Sequence, residues 1–166
     1  MIRNASAGDA KQICDIYNHY VINSTITFEE EPVSAKEMLE RIEKLQSKFP
    51  WLVYEKENEV LGYAYATEWR SRIAYQYSAE TTVYLKPGMY GKGIGSLLCK
   101  ALIAEMRRLP IHTLIAGIAL PNDSSIALHE KLGFEKVAHF KEVGFKMNKW
   151  IDVGYWQLAL KNQLEP

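Results

Sequence analysis

A mixed α/β sheet with helices on both faces is the fold class this sequence predicts, and three observations carry it. Short apolar runs of strand character alternate with stretches whose apolar residues recur at helical spacing, an order that suits neither a helical bundle nor a β-sandwich. Glu80–Leu85 is β-branched and aromatic, stops at Pro87-Gly88, and leads through a glycine-rich turn into a helix, after which a new apolar run begins at Thr113. Two strands on either side of one long helix are expected to be parallel neighbours through a right-handed crossover. Finally, 166 residues at 48% hydrophobic supply one well-filled core and are short for two, so residues 1–166 read as a single domain.

The elements follow in order. Ile2-Arg3-Asn4 is a short opening strand, and Ser6 caps a helix with Asp9 three residues on. Ala10, Ile13, Cys14, Tyr17, Tyr20 and Val21 form its buried stripe, and the β-branched run Thr25–Thr27 with Pro32 ends it. Ser34 to Glu37 matches a capping box and opens a second helix with Met38, Leu39, Ile42 and Leu45 inward, reaching about Ser47 before Pro50. Trp51–Tyr54 and Val60–Thr67 are strands joined into a hairpin across the polar turn Glu57-Asn58-Glu59. Trp69–Tyr77 is an aromatic and basic connection, expected to be extended. The central helix buries Ile94, Leu97, Leu98, Ala101 and Leu102, and Pro110 breaks the chain after it. Thr113–Ile118 alternates little, as a strand covered on both faces does. Asn122-Asp123 caps a short helix that ends before Gly133, and Phe134–Phe140 and Val153–Leu160 finish as strands.

Twenty basic and twenty acidic side chains cancel, so no net field favours nucleic acid or an anionic membrane. The first thirty residues carry charges throughout with no uninterrupted apolar stretch, and no apolar run approaches membrane-spanning length, which predicts a cytoplasmic protein. Cys14 and Cys99 fall on apolar helix faces and are assigned to the core, since two cysteines make neither a disulfide framework nor a zinc site.

The turn Tyr90-Gly91-Lys92-Gly93-Ile94-Gly95-Ser96 places three glycines on alternate positions directly before a helix. Free backbone N–H groups and the positive end of the helix dipole converge there, so an anion, phosphate above all, can bind with little side-chain help. A P-loop requires Gly-Lys followed by Ser or Thr, but Gly91-Lys92 is followed by Gly93. A dinucleotide fingerprint requires a wider glycine spacing, and a merely tight strand-to-helix connection is the plain alternative. The turn resembles the pyrophosphate loop of the Gcn5-related N-acetyltransferase superfamily: Arg or Gln, two residues, Gly, one residue, Gly or Ala. Tyr90, Gly93 and Gly95 occupy its fixed positions, with Tyr90 in place of Arg or Gln. The resemblance implies a six- to seven-stranded mixed sheet whose two central parallel strands splay apart, with the pantetheine arm of acetyl-CoA between them.

Asn122 to Phe134 resembles the superfamily's second cofactor motif, in which the Asn contacts pantetheine and a Tyr stands near the thiol; His129 holds that tyrosine's place. Lying between Ile126 and Leu132, His129 also reads as a core histidine satisfied by a carbonyl. Glu80 sits in an otherwise apolar strand on the same face as Thr82 and Tyr84. It is either a strand-end carboxylate, solvated or paired with Arg70 or Arg72, or a carboxylate whose pKa burial raises so that it accepts an amine proton. Arg70 and Arg72, two residues apart, suit a substrate carboxylate if they project together, and a solvated connection otherwise.

Thr25-Ile-Thr-Phe28-Glu, Phe49-Pro-Trp-Leu-Val, Gly62-Tyr-Ala-Tyr-Ala66, Arg72-Ile-Ala-Tyr75, Ala79-Glu80-Thr-Thr-Val-Tyr84 and Gly144-Phe-Lys followed by Trp150-Ile-Asp-Val-Gly-Tyr-Trp-Gln157 resemble the phosphinothricin and methionine sulfoximine acetyltransferases over nearly the whole chain. That resemblance implies direct acetyl transfer from acetyl-CoA to the α-amino group of a small amino-acid analogue, with no metal. It aligns Glu80 and His129 with catalytic positions, their acid and base roles interchangeable at this stage. Val83, Leu85, Gly91, Lys92, Gly93, Ile94, Gly95, Ser96, Asn122 and Ser125 align with acetyl-CoA contacts, and Thr25, Phe28, Arg70, Arg72 and Tyr75 with the acceptor site. It also implies a homodimer with acceptor sites near the subunit interface. The rival readings are acetylation of protein N-termini or lysines, which needs an open peptide groove, and a non-catalytic acetyl-CoA sensor.

Overall fold

The computed structural model describes residues 1–160, and residues 161–166 of the expected domain lie outside the described residues. Seven strands, β1 (Ile2–Asn4), β2 (Trp51–Lys56), β3 (Glu59–Glu68), β4 (Ser78–Leu85), β5 (Thr113–Ala119), β6 (Glu135–Lys146) and β7 (Lys149–Ala159), form one sheet in the order β1-β2-β3-β4-β5-β7-β6. The helices are α1 (Ala10–Asn23), α2 (Ala35–Gln46), α3 (Ile94–Met106) and α4 (Asp123–Lys131).

Alternation divides the strands between two cores. Leu52, Ala64, Ala66, Ala79 and Leu114 point to one side, where Leu98, Leu102 and Met106 of α3 cover them. Trp51, Val53 and Tyr63 point to the other, against Ile13, Tyr17 and Val21 of α1 and Met38 and Ile42 of α2. Helices therefore cover both faces. Both cysteines are buried, and Cys14 Sγ donates to the Val33 carbonyl at 3.1 Å.

Among the described residues only β4 and β5 pair in parallel, as the crossover through α3 requires, and the pairing covers Ser78↔Thr113, Ala79↔Leu114 and Glu80↔Ile115 alone. Beyond it the strands splay. Each remains backed on its outer side, β4 by β3 as far as Leu85↔Gly62 and β5 by β7 as far as Ala119↔Val153, so the gap has rigid walls.

At the N-terminus the predicted cap residue Ser6 opens a 3₁₀ turn, Ala7–Asp9, that precedes α1. Asp9 is buried, accepts from the Ser6 N–H at 2.7 Å, and receives both Arg3 guanidinium nitrogens at 2.7 and 2.8 Å. Arg3 and the Ser6 donors hold its carboxyl low, at about 2. Because the pKa is depressed on folding, this stabilisation is complete above the ordinary Asp value of about 4 and is lost as pH falls through 2. Thermal melting of Asp9→Asn against the parent should show a deficit at pH 6 that narrows as pH falls from 4 to 2.

Three expectations are corrected, the first that the central helix buries Leu97, which is exposed. The connection after β3 is not extended: it bends and contains a 3₁₀ turn, Ile73–Tyr75, so Arg70 and Arg72 do not share one face of a strand. The last two strands run much further than Phe134–Phe140 and Val153–Leu160, forming a long hairpin with Met147 and Asn148 at left-handed φ of 53° and 57°. Residues 141–143 bulge out of its register, which erases the alternation that would have marked the strand.

Candidate functional site

Where β4 and β5 part, a cavity of about 360 Å³ opens, walled by their unpaired ends, the turn before α3 and the start of α4. Gly91 and Gly93 have φ of +73° and +79°, and a Cβ at either would meet nothing within 4 Å, so the backbone conformation and not crowding requires glycine there. Gly93 caps α3, leaving the N–H groups of Ile94, Gly95 and Ser96 without upstream carbonyls at the cavity mouth. Gly95 serves differently: a Cβ would lie 3.3 Å from Leu128, so its absence lets α3 and α4 approach. Open space in front of a left-handed turn and a helix N-terminus fits a pyrophosphate, and the parted strands behind it fit a linear amide-bearing arm.

Val83, Leu85, Gly91, Gly93, Gly95, Ser96, Asn122 and Ser125 all line this cavity. Lys92 and Ile94 do not: the Lys92 ammonium turns to Met89 Sδ at 3.5 Å, and Ile94 is buried in the α3 core. Asn122 caps α4, its side chain accepting from Ser125 N–H at 3.2 Å. Tyr90 makes a contact that its sequence position did not suggest. The buried Tyr20 hydroxyl bonds both Tyr90 and the Leu85 carbonyl; the carbonyl only accepts, so Tyr20 donates to it and Tyr90 donates to Tyr20. Burial drives the Tyr20 phenol far above its usual pKa, so this relay stays protonated.

His129 is buried on α4 and lines the cavity, with Nδ1 2.8 Å from the Ser125 carbonyl and its ring edge-on to Phe134 at 5.1 Å. A carbonyl fixes Nδ1 as the protonated nitrogen and leaves Nε2 as an acceptor. Burial lowers the imidazole pKa, so the resting ring is neutral. The core-histidine geometry and a place in the cavity wall thus coexist in one residue.

Glu80 belongs to the last β4–β5 pair and so stands at the apex of the splay. Oε1 would lie 3.1 Å from a Cβ at Gly117, where the Tyr155 ring also approaches to 3.1 Å, so a side chain there would press on the carboxylate and the ring. Among the described residues neither Arg70 nor Arg72 forms an ion pair with it, and burial raises its pKa.

The predicted acceptor residues lie outside the cavity wall. Arg70 is exposed and stacks over Trp69 at 5.1 Å, while Arg72 and Tyr75 flank and end the exposed 3₁₀ turn. Phe28 packs against Gly144 of β6, and Thr25 is half-buried at the foot of the same loop, whose Ile26 does reach the cavity. Sequence reasoning missed Tyr20, Ile26, Thr81, Gly117 and Ser124 as lining residues. Gly117, a lone glycine inside an apolar strand, was the one legible signal. No group of three or more His, Cys, Asp or Glu among the described residues is arranged to hold a metal.

The chain is similar to known proteins over most of its length. The chain is 42% identical to a phosphinothricin N-acetyltransferase of Streptomyces viridochromogenes over 156 residues, covering 94% of this chain and 85% of that one. It is 37% identical to an L-methionine sulfoximine/L-methionine sulfone acetyltransferase of Salmonella typhimurium over 166 residues, covering 99% and 97%. The structure of a phosphinothricin acetyltransferase from Sinorhizobium meliloti in complex with acetyl-CoA superposes with a TM-score of 0.92 at 38% identity, over 96% of this chain and 87% of that one. The family model described as an acetyltransferase (GNAT) domain matches residues 2–154, and on that match, with the splayed sheet and glycine turn it contains, the chain belongs to the GNAT acetyltransferase family.

Proposed function

We propose that the protein transfers an acetyl group from acetyl-CoA to the α-amino group of a small amino-acid analogue of the phosphinothricin, methionine sulfoximine or methionine sulfone type, acting in the cytoplasm as a homodimer. One observation carries this reading: a half-buried carboxylate with no ion-pair partner among the described residues stands at the apex of the gap whose mouth is the anion-binding turn. The turn from Gly91 to Ser96 holds the pyrophosphate, and the gap-facing backbone of Val83 and Leu85 aligns the pantetheine arm and polarises the thioester carbonyl. Glu80 takes a proton from the ammonium, giving a nucleophilic amine. As the C–N bond forms and the C–S bond breaks, neutral His129 accepts the second amine proton at Nε2 and passes it to the departing sulfur. Holding both reactants in one cleft supplies roughly 7 kcal/mol or more of the rate enhancement, so little further chemistry is needed.

Arg70, Arg72 and Tyr75, with Thr25 and Phe28, surround the acceptor's carboxylate and side chain. The dimer reading is supported by exposed apolar side chains along the terminal hairpin, among them Phe140, Val143, Phe145 and Trp150. The test is a screen of free amino acids and their sulfone, sulfoximine and phosphinate analogues with acetyl-CoA, reading thiol release, beside an N-terminal peptide panel and the mass in solution. Acetylation of methionine sulfone or sulfoximine by a particle of twice the chain mass is expected; turnover of peptides alone overturns the reading.

A further inference from the structure

The Gly144-Phe145-Lys146 segment of β6 lies far in sequence from the loop between α1 and α2, yet two side chains fasten that loop to it. Lys146 is 3% exposed, and its ammonium donates to the Val21 carbonyl at 2.7 Å and the Thr27 carbonyl at 2.9 Å. Val21 lies in the last turn of α1, where the carbonyls have no helical partner, and Thr27 lies midway along the loop, so one cation ties the helix end and the loop together. Burial lowers the Lys146 pKa, with Glu29 and Glu30 acting in the opposite sense. Two residues back on the same face, buried Gly144 seats the Phe28 ring: a Cβ there would lie 2.4 Å from two ring carbons. From within the loop, Thr27 Oγ1 also bonds Tyr17 OH at 2.9 Å, and the same loop sends Ile26 into the cavity wall.

We infer that Gly144 and Lys146 are positioning residues for the acceptor: they hold the Ser24–Glu31 loop, and Phe28 with it, in the one placement that forms the acceptor side of the site. Neither touches the reacting atoms. This rests on the proposed acceptor side and names the device that sets its shape. A buried lysine bound to two carbonyls on segments more than a hundred residues away orders a loop whose other hydrogen bonds and ion pair, Tyr17 to Thr27 and Arg41 to Glu29, are local. A methyl group at Gly144 expels the Phe28 ring from its seat.

Four variants test it: Lys146→Met, Lys146→Arg, Gly144→Ala and Gly144→Ala combined with Phe28→Ala. Lys146→Met and Gly144→Ala should each raise the acceptor KM about tenfold or more while the acetyl-CoA KM stays within twofold. Lys146→Arg, which keeps the charge and donors, should recover part of that loss, and adding Phe28→Ala to Gly144→Ala should cost little further, because both act on one contact. A readout without any acceptor separates this inference from the assigned reaction: glutamyl endopeptidase should cut the Lys146→Met protein after Glu29 to Glu31 much faster than the parent, with fragments identified by mass. Gly144→Ala keeps the inference testable should Lys146→Met fail to fold. Equal increases in both KM values, or a loop no more cleavable than in the parent, would overturn it.

Discussion

Glu80→Gln should lower kcat/KM for the acceptor by roughly a hundred- to a thousandfold while leaving acetyl-CoA affinity unchanged, because a positioned general base contributes on the order of 10²–10⁴ in rate. The carboxylate stands at the apex of the gap, beyond the turn and the first turn of α3 where the phosphates bind, so the amide isostere should not disturb the cofactor. The pH profile gives a second signature. Burial raises the Glu80 pKa, and the group works only when ionised, so kcat/KM in the parent should fall as pH drops through that raised pKa. In Glu80→Gln the acid limb should disappear. Calorimetric titration with acetyl-CoA and initial rates from pH 5 to 9 check both; full activity in the variant would remove Glu80 from the chemistry.

The other large effect is on stability. Trp156→Ala should cost about 3–5 kcal/mol, the range for emptying a buried aromatic site. Trp156 is 1% exposed, pairs in register with Ala116 of β5, donates from its indole N–H to Glu130 of α4 at 3.1 Å, and lies beneath the Lys136 ammonium at 5.3 Å. It therefore joins the strand carrying one wall of the gap to the helix carrying His129. In a chain of this size the loss corresponds to a fall of roughly 10 °C in Tm, measurable by calorimetry. Gly154 is the counterpart: a Cβ there would lie 2.5 Å from the Trp156 ring, so Gly154 and Trp156 cannot be altered independently.

Much of this was readable because the signals were local. Ser34 Oγ accepting from the Glu37 N–H, Asn122 capping α4 and the glycines before α3 each act within four residues, and all lie where the pattern puts them. The parallel strands flanking α3 followed from connectivity alone. What the sequence hid is long-range. Lys146 reads as an ordinary surface lysine at the end of a strand and is buried only because Val21 and Thr27 come to it from the other end of the chain. Tyr90 looked like an isolated departure from a motif until α1 placed Tyr20 against it. The far half of the terminal hairpin escaped because a bulge breaks its period and because Met147-Asn148 takes left-handed angles that Asn-Gly would have advertised. Arg70 and Arg72 were paired on the assumption of extended backbone, which the 3₁₀ turn removes.

The splay, taken with the two tethers near its mouth, closes into a ring. Starting from the last β4–β5 pair, the path runs up β4 to Leu85, across to Tyr20 on α1, one residue along to Val21, over to Lys146 on β6, and back through β7 and β5. A gap bounded in this way has a perimeter fixed by covalent and hydrogen-bonded links, like an eyelet instead of a hinge. The thioester arm then has to thread an opening whose width those links set, and the strand walls should keep their separation when the arm leaves.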